Sequence, residues 1–144
     1  MRKIFLLSLL LLLMLVLVAC GGKKEVKPVS PESATYTEAA ILAETVRAAF
    51  VNNDRVALQK NSTEEGYRDI TANKKLPDQV ELTFTPRWFE IEQNQVNLNI
   101  SWKSIWTNAG KRTEDRGMTI FVMEGRPLKV SKILRANPFI YPEQ

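Results

Sequence analysis

A few side chains in this 144-residue chain have the types and spacing to do chemistry. Cys20, the single cysteine, follows an apolar run and precedes two glycines, and its sulfur is the one soft nucleophile the chain offers. Tyr67 and Asp69 form a polar cluster to which Asp115 can be added. In that set a carboxylate could accept a proton while the phenol donates a hydrogen bond. The same residues read equally well as a helix-end pair and a hairpin charge. Trp102 and Trp106 stand four apart and share one face of a strand, with Trp88 on its neighbour. They could line a pocket for an apolar or aromatic ligand, or fill a core. Arg126, Lys129, Lys132 and Arg135 crowd the end of the chain, as a partner surface or a solvated face. Histidine is absent and cysteine unpaired, so zinc lacks its usual ligands and no metal or catalytic set is expected.

The surroundings of Cys20 give it a use. Arg2 and Lys3 precede an apolar run from Ile4 to Ala19 that only Ser8 interrupts, and small Ala19 leads into the cysteine. A charged start, a greasy stretch and a small-residue cleavage site make a signal peptide. The run falls short of the roughly 20 residues that span a hydrocarbon core. Leu17, Val18, Ala19 and Cys20 closely resemble the lipobox of bacterial lipoproteins. That resemblance implies removal of residues 1–19, a diacylglycerol on the Cys20 sulfur and an acyl chain on its new amino group. Several chains at about 0.8 kcal/mol per buried methylene make a stable anchor. Gly21 in place of Asp implies an outer-membrane address facing the periplasm if the host is Gram-negative. An acylated Cys20 leaves no thiol for a disulfide, so the exported domain must fold without staples.

Residues 20–34 read as the lipidated cysteine and a tether, because two prolines, two glycines and little apolar surface cannot offset the entropy of ordering. Such a coil reaches on the order of 20 Å. Removing the leader lowers Lys+Arg from 20 to 18 against 16 acidic residues. The balance is then nearly neutral, and no basic and aromatic stripe marks a nucleic-acid surface. Residues 35–144 suffice for one core and are too few for two domains.

Helical spacing comes first. Thr35 and Glu38 form a capping box ahead of Ala39, Leu42, Val46, Ala49 and Phe50, a single apolar stripe. Asn52, Asn53 and Asp54 stop that helix and cap a shorter one through Val56, Ala57 and Leu58. Ser62 and Glu65 repeat the capping-box spacing before Ile70. Beyond Pro77 the period changes to two, through Val80, Leu82 and Phe84, then Phe89 and Ile91, with a turn at 93–95. The longest alternation runs from Val96 to Trp106. Residues 108–111 reverse the chain into a strand ending at 118–123, and Gly125 and Pro127 turn it again before Leu128 to Leu134.

Helices followed by a meander imply an α+β domain with N-terminal helices packed on a strongly curved antiparallel sheet. The element order and the closing residues Leu128, Val130, Ile133, Asn137, Pro138 and Phe139 resemble the nuclear transport factor 2-like, or cystatin-like, superfamily. That resemblance implies a bent sheet enclosing a conical pocket. Family enzymes resembling ketosteroid isomerase need a tyrosine inside the first helix, whereas Tyr36 precedes the helix expected here. The expectation is therefore a membrane-anchored, non-enzymatic module for an envelope protein partner. The alternative is a pocket for a small apolar molecule, lined by Tyr67, Trp102 and Trp106.

Overall fold

The computed structural model describes residues 30–73 and 77–142. Three helices come first: α1 (Pro31–Val51), α2 (Arg55–Lys60) and α3 (Glu64–Ile70). Four strands follow: β1 (Gln79–Glu92), β2 (Gln95–Asn108), β3 (Lys111–Glu124) and β4 (Lys129–Arg135). The leader, Cys20 and the tether up to residue 29 lie outside the described residues.

The helix starts follow from side-chain oxygens that satisfy free amides. Ser30 accepts the Ser33 amide at 3.1 Å, and Pro31 opens α1 where a missing N–H costs nothing. The helix thus starts four residues before the Thr35 and Glu38 box. Thr35 instead donates its hydroxyl to the Pro31 carbonyl, and Glu38 accepts the distant Leu128 amide at 3.0 Å. Asp54 caps α2 as the sequence suggests, through the Ala57 amide. For α3 the cap is Thr63, which accepts from the Gly66 amide at 3.2 Å, and Ser62 is buried with its hydroxyl donated to the Leu58 carbonyl.

The strands form one antiparallel meander in the order β1-β2-β3-β4. Ala109 and Gly110 take φ of 48° and 77°, the two left-handed residues that a tight hairpin turn requires. Leu82, Val96, Leu98, Ile100, Phe121 and Met123 point to one face and meet Ala39, Leu42, Ala43, Val46 and Ala49 of α1. Phe139, after β4, returns to that core, with ring centroids 4.8 Å from Phe50 and 5.9 Å from Phe84.

The helices-then-meander order stands, but the expected cone does not. The sheet is flat, and the resemblance to the nuclear transport factor 2-like superfamily is overturned with it. A cone needs bulges that bend its central strands. Here every residue of β2 pairs with β3 without a break, from Gln95 opposite Glu124 to Asn108 opposite Lys111. Register shifts occur only in the outer pairings, at Pro86/Trp88 and Val122/Met123. The face that would line a cone is occupied by aromatic and aliphatic side chains packed against α1.

Candidate functional site

The cluster of Tyr67, Asp69 and Asp115 does not assemble as a site. Asp69 accepts the Ile133 amide at 2.9 Å, and its own carbonyl accepts from the Asn137 side-chain amide at 2.8 Å. Tyr67 packs against the core. Asp115, on β3, accepts the amide of its neighbour Arg116 at 2.8 Å. Each carboxylate satisfies a backbone amide, and the hydrogen bonds of the described residues give the two no shared partner.

Trp102 and Trp106 do share a face, and both are buried. The Trp106 indole donates to the buried Ser104 hydroxyl at 2.8 Å and stands edge-on to Phe50 and Tyr141. Trp102 lies over Gly117, where an added Cβ would meet its ring at 2.8 Å, and donates to the Ala136 carbonyl at 3.3 Å. These indoles fill the fold. Of the basic residues near the end of the chain, Lys132 pairs with Glu65 of α3 at 3.0 Å.

The β4 edge of the sheet is covered, and the β1 edge is covered at one point. Along β4, Val130 donates to the Asn61 carbonyl and accepts from the Thr63 amide, and the Ile133 amide goes to Asp69. Gly66 makes this approach feasible, because a Cβ there would lie 2.1 Å from the Val130 carbonyl oxygen. On β1, Arg47 donates to the Leu82 carbonyl at 2.9 Å while held by Glu44. The Glu44 carboxyl is held below its ordinary range, chiefly by that hydrogen bond to Arg47, and burial opposes the shift. Pro86 and the bulge beside it remove a further stretch from edge pairing.

What remains open is the sheet face turned away from the helices. Its registers align Trp88, Asn99, Ile120 and Leu134 in one row across all four strands. Trp88 and Leu134 are 44% and 41% exposed, and Met118 in the adjoining row is 39% exposed. Asn99, 2% exposed in the middle of the row, has a buried carboxamide oxygen without a hydrogen-bond partner. Unpaired buried oxygens are uncommon and costly. On one side of the row lie Glu90, Glu92 and Glu124, with Lys129 and Lys132 on β4. On the other lie Lys103 and Arg116, with Glu81, Glu114 and Arg112 beyond them. Lys103 pairs with Glu114, whose carboxyl is thereby held below its ordinary range, mainly by that hydrogen bond and then by the Lys103 charge.

Sequence reasoning missed this row. A signal for it existed in the unbroken apolar run from Ile120 to Met123, where alternation fails because both faces carry apolar groups. A second surface feature is a groove of about 720 Å³ along α1, lined by Tyr36, Ala40, Ile41, Thr45, Ala48 and Ala57 among others.

Comparison of the chain with protein-family models, curated proteins and solved structures finds no match. The lipobox reading therefore has no family support beyond its own four residues, and Cys20 lies outside the described residues. No helix among the described residues is long and apolar enough to cross a membrane.

Proposed function

We propose that this chain is a binding module held at a membrane through lipid on Cys20, and that it docks a protein through the helix-free face of its sheet. The observation that carries the docking reading is the cross-strand row of Trp88, Ile120 and Leu134 with Met118 beside it. Sheets normally cover such a stripe, and aromatic and methionine side chains are enriched where proteins meet. The flat shape suits a broad protein surface better than a small molecule, which needs concavity.

A photo-crosslinking amino acid placed at Trp88 or Leu134 of the full chain in its native membrane tests the docking. Protein adducts should form at these positions and not at Ile41, which is exposed on α1. Absence of adducts at both sheet positions would overturn the reading. The small-ligand alternative has its place in the α1 groove, where Ala40, Ile41, Ala48 and Ala57 give an apolar lining. An apolar fluorophore whose binding Ile41→Glu abolishes would support it, and a fluorophore indifferent to that change would remove it.

A further inference from the structure

We infer that the occupant of the helix-free face is a second copy of this chain, related by a twofold axis lying along the row of Trp88, Asn99, Ile120 and Leu134. This inference rests on the docking reading and names its partner.

The argument is one of self-complementarity. An isologous contact repeats the same patch on both partners, so charges must match under the twofold operation. Arg116 and Glu124 lie on β3 at equal spacing on either side of Ile120, four residues before and four after. All three point to the open face, since Arg116 is opposite Lys103, Ile120 opposite Asn99 and Glu124 opposite Gln95. Rotation about the central row reverses the strand direction and carries Arg116 of one copy over Glu124 of the other, twice per dimer. Neither residue belongs to a salt bridge among the described residues. A twofold axis along the strands, midway between β2 and β3, would instead set Arg116 against Lys103 of the other copy, and is disfavoured.

Distances permit the contact. Packed sheets stand about 10 Å apart, and an aligned packing angle of about 30° shifts residues four positions from the axis by about 7 Å. The resulting separation of about 12 Å between Cα atoms is within the combined reach of an arginine and a glutamate. Five rows, three across all four strands and two across β1 to β3, project to about 500 Å², and side-chain relief enlarges the accessible area toward the roughly 800 Å² per partner of a modest specific interface. Association through the β4 edge is closed off by the segment from Asn61 to Asp69, and Arg47 and Pro86 interrupt the β1 edge.

The test uses the full chain in membranes. Ile120→Cys places a thiol at the axis, and a bismaleimide with a reach of about 10 Å matches the spacing of packed sheets. A covalent dimer should form, whereas Ile41→Cys on α1 should give none, with the unsubstituted chain as the background for Cys20. In the Ile120→Cys chain, Arg116→Glu or Glu124→Arg alone should lower the crosslinked fraction about tenfold, and the two together should restore it, because the reversed pair matches again. Unchanged thermal unfolding of all three charge variants shows that folding is not what the crosslinker reads. Failure of the double variant to recover, or a monomer at every protein density, overturns self-association. If sheet-face adducts to a different protein persist, docking stands and only its partner changes. If no adduct of any kind forms there, the docking reading falls as well.

Discussion

The Asp69 carboxylate accepts the Ile133 amide at 2.9 Å, and by this bond the end of a short helix closes the outer edge of the last strand. Asn137 extends the clasp, donating to the Asp69 carbonyl while its own oxygen accepts the Phe139 amide at 3.0 Å. Phe139 is thereby set into the core between Phe50, Phe84 and Phe121. An aspartate with the residue type for acid and base work is used here to terminate a sheet.

Asp69→Ala should destabilise the fold by about 1 to 3 kcal/mol, because a partly buried amide loses its acceptor. Asp69→Asn keeps an acceptor oxygen and should cost about 1 kcal/mol or less. Urea unfolding of both variants checks this, and equal losses would show that the charge, not the acceptor, matters.

Gly66→Ala should be among the most damaging single changes. Its Cβ would lie 2.1 Å from the Val130 carbonyl oxygen, and backbone on both sides leaves no flexible side chain to yield. A loss of about 3 kcal/mol is expected, at the upper end for overpacking. A melting temperature within a degree or so of the parent would mean that α3 does not approach β4 as described.

Trp102→Ala should cost about 3 to 5 kcal/mol, as for a large buried aromatic. Gly117→Ala on the facing strand should also destabilise, since the new methyl meets the same indole. Intrinsic fluorescence that already reports a solvent-exposed Trp102 in the native protein would contradict both.

The Glu44 and Arg47 pair makes a prediction about pH. Glu44 titrates below its ordinary value of 4.5 in the folded chain, so its contribution is present above that value and is lost as pH falls through the lower folded one. The Glu44 side chain is 57% exposed, so solvent screening limits the effect to a few tenths of a kcal/mol. Glu44→Gln should therefore lower stability slightly at neutral pH and match the parent in strong acid. A difference that grows as pH falls would reverse the assigned sign.

For the anchor, Cys20→Ala should abolish incorporation of a labelled fatty acid and leave the precursor uncut. Labelling that persists in that variant would place the lipid elsewhere or remove it from the account.

The order of elements and most of their boundaries could be read from residue periodicity, because the alternation in β1 and β2 and the stripe in α1 are local responses to one buried face. The helix starts were read less well. Ser30 and Thr63 outcompeted Thr35 and Ser62 as caps, a contest between neighbouring hydroxyls that spacing alone does not decide. Trp102 and Trp106 were assigned correctly to one face, whereas Trp88, grouped with them, lies on the other. The burial of the first two depended on Gly117, Ala136 and Tyr141 arriving from distant parts of the chain.

What the sequence determined by itself is the set of local choices: an apolar run ending at a lone cysteine, N-terminal helices and four alternating strands. Tertiary structure alone decided the curvature of the sheet, the structural use of Asp69 and the row that joins Trp88 to Leu134. The physical reason is that register and bulges are properties of paired strands. A single strand shows which residues share a face, but only its neighbours fix whether that face bends around a cavity or lies flat and open.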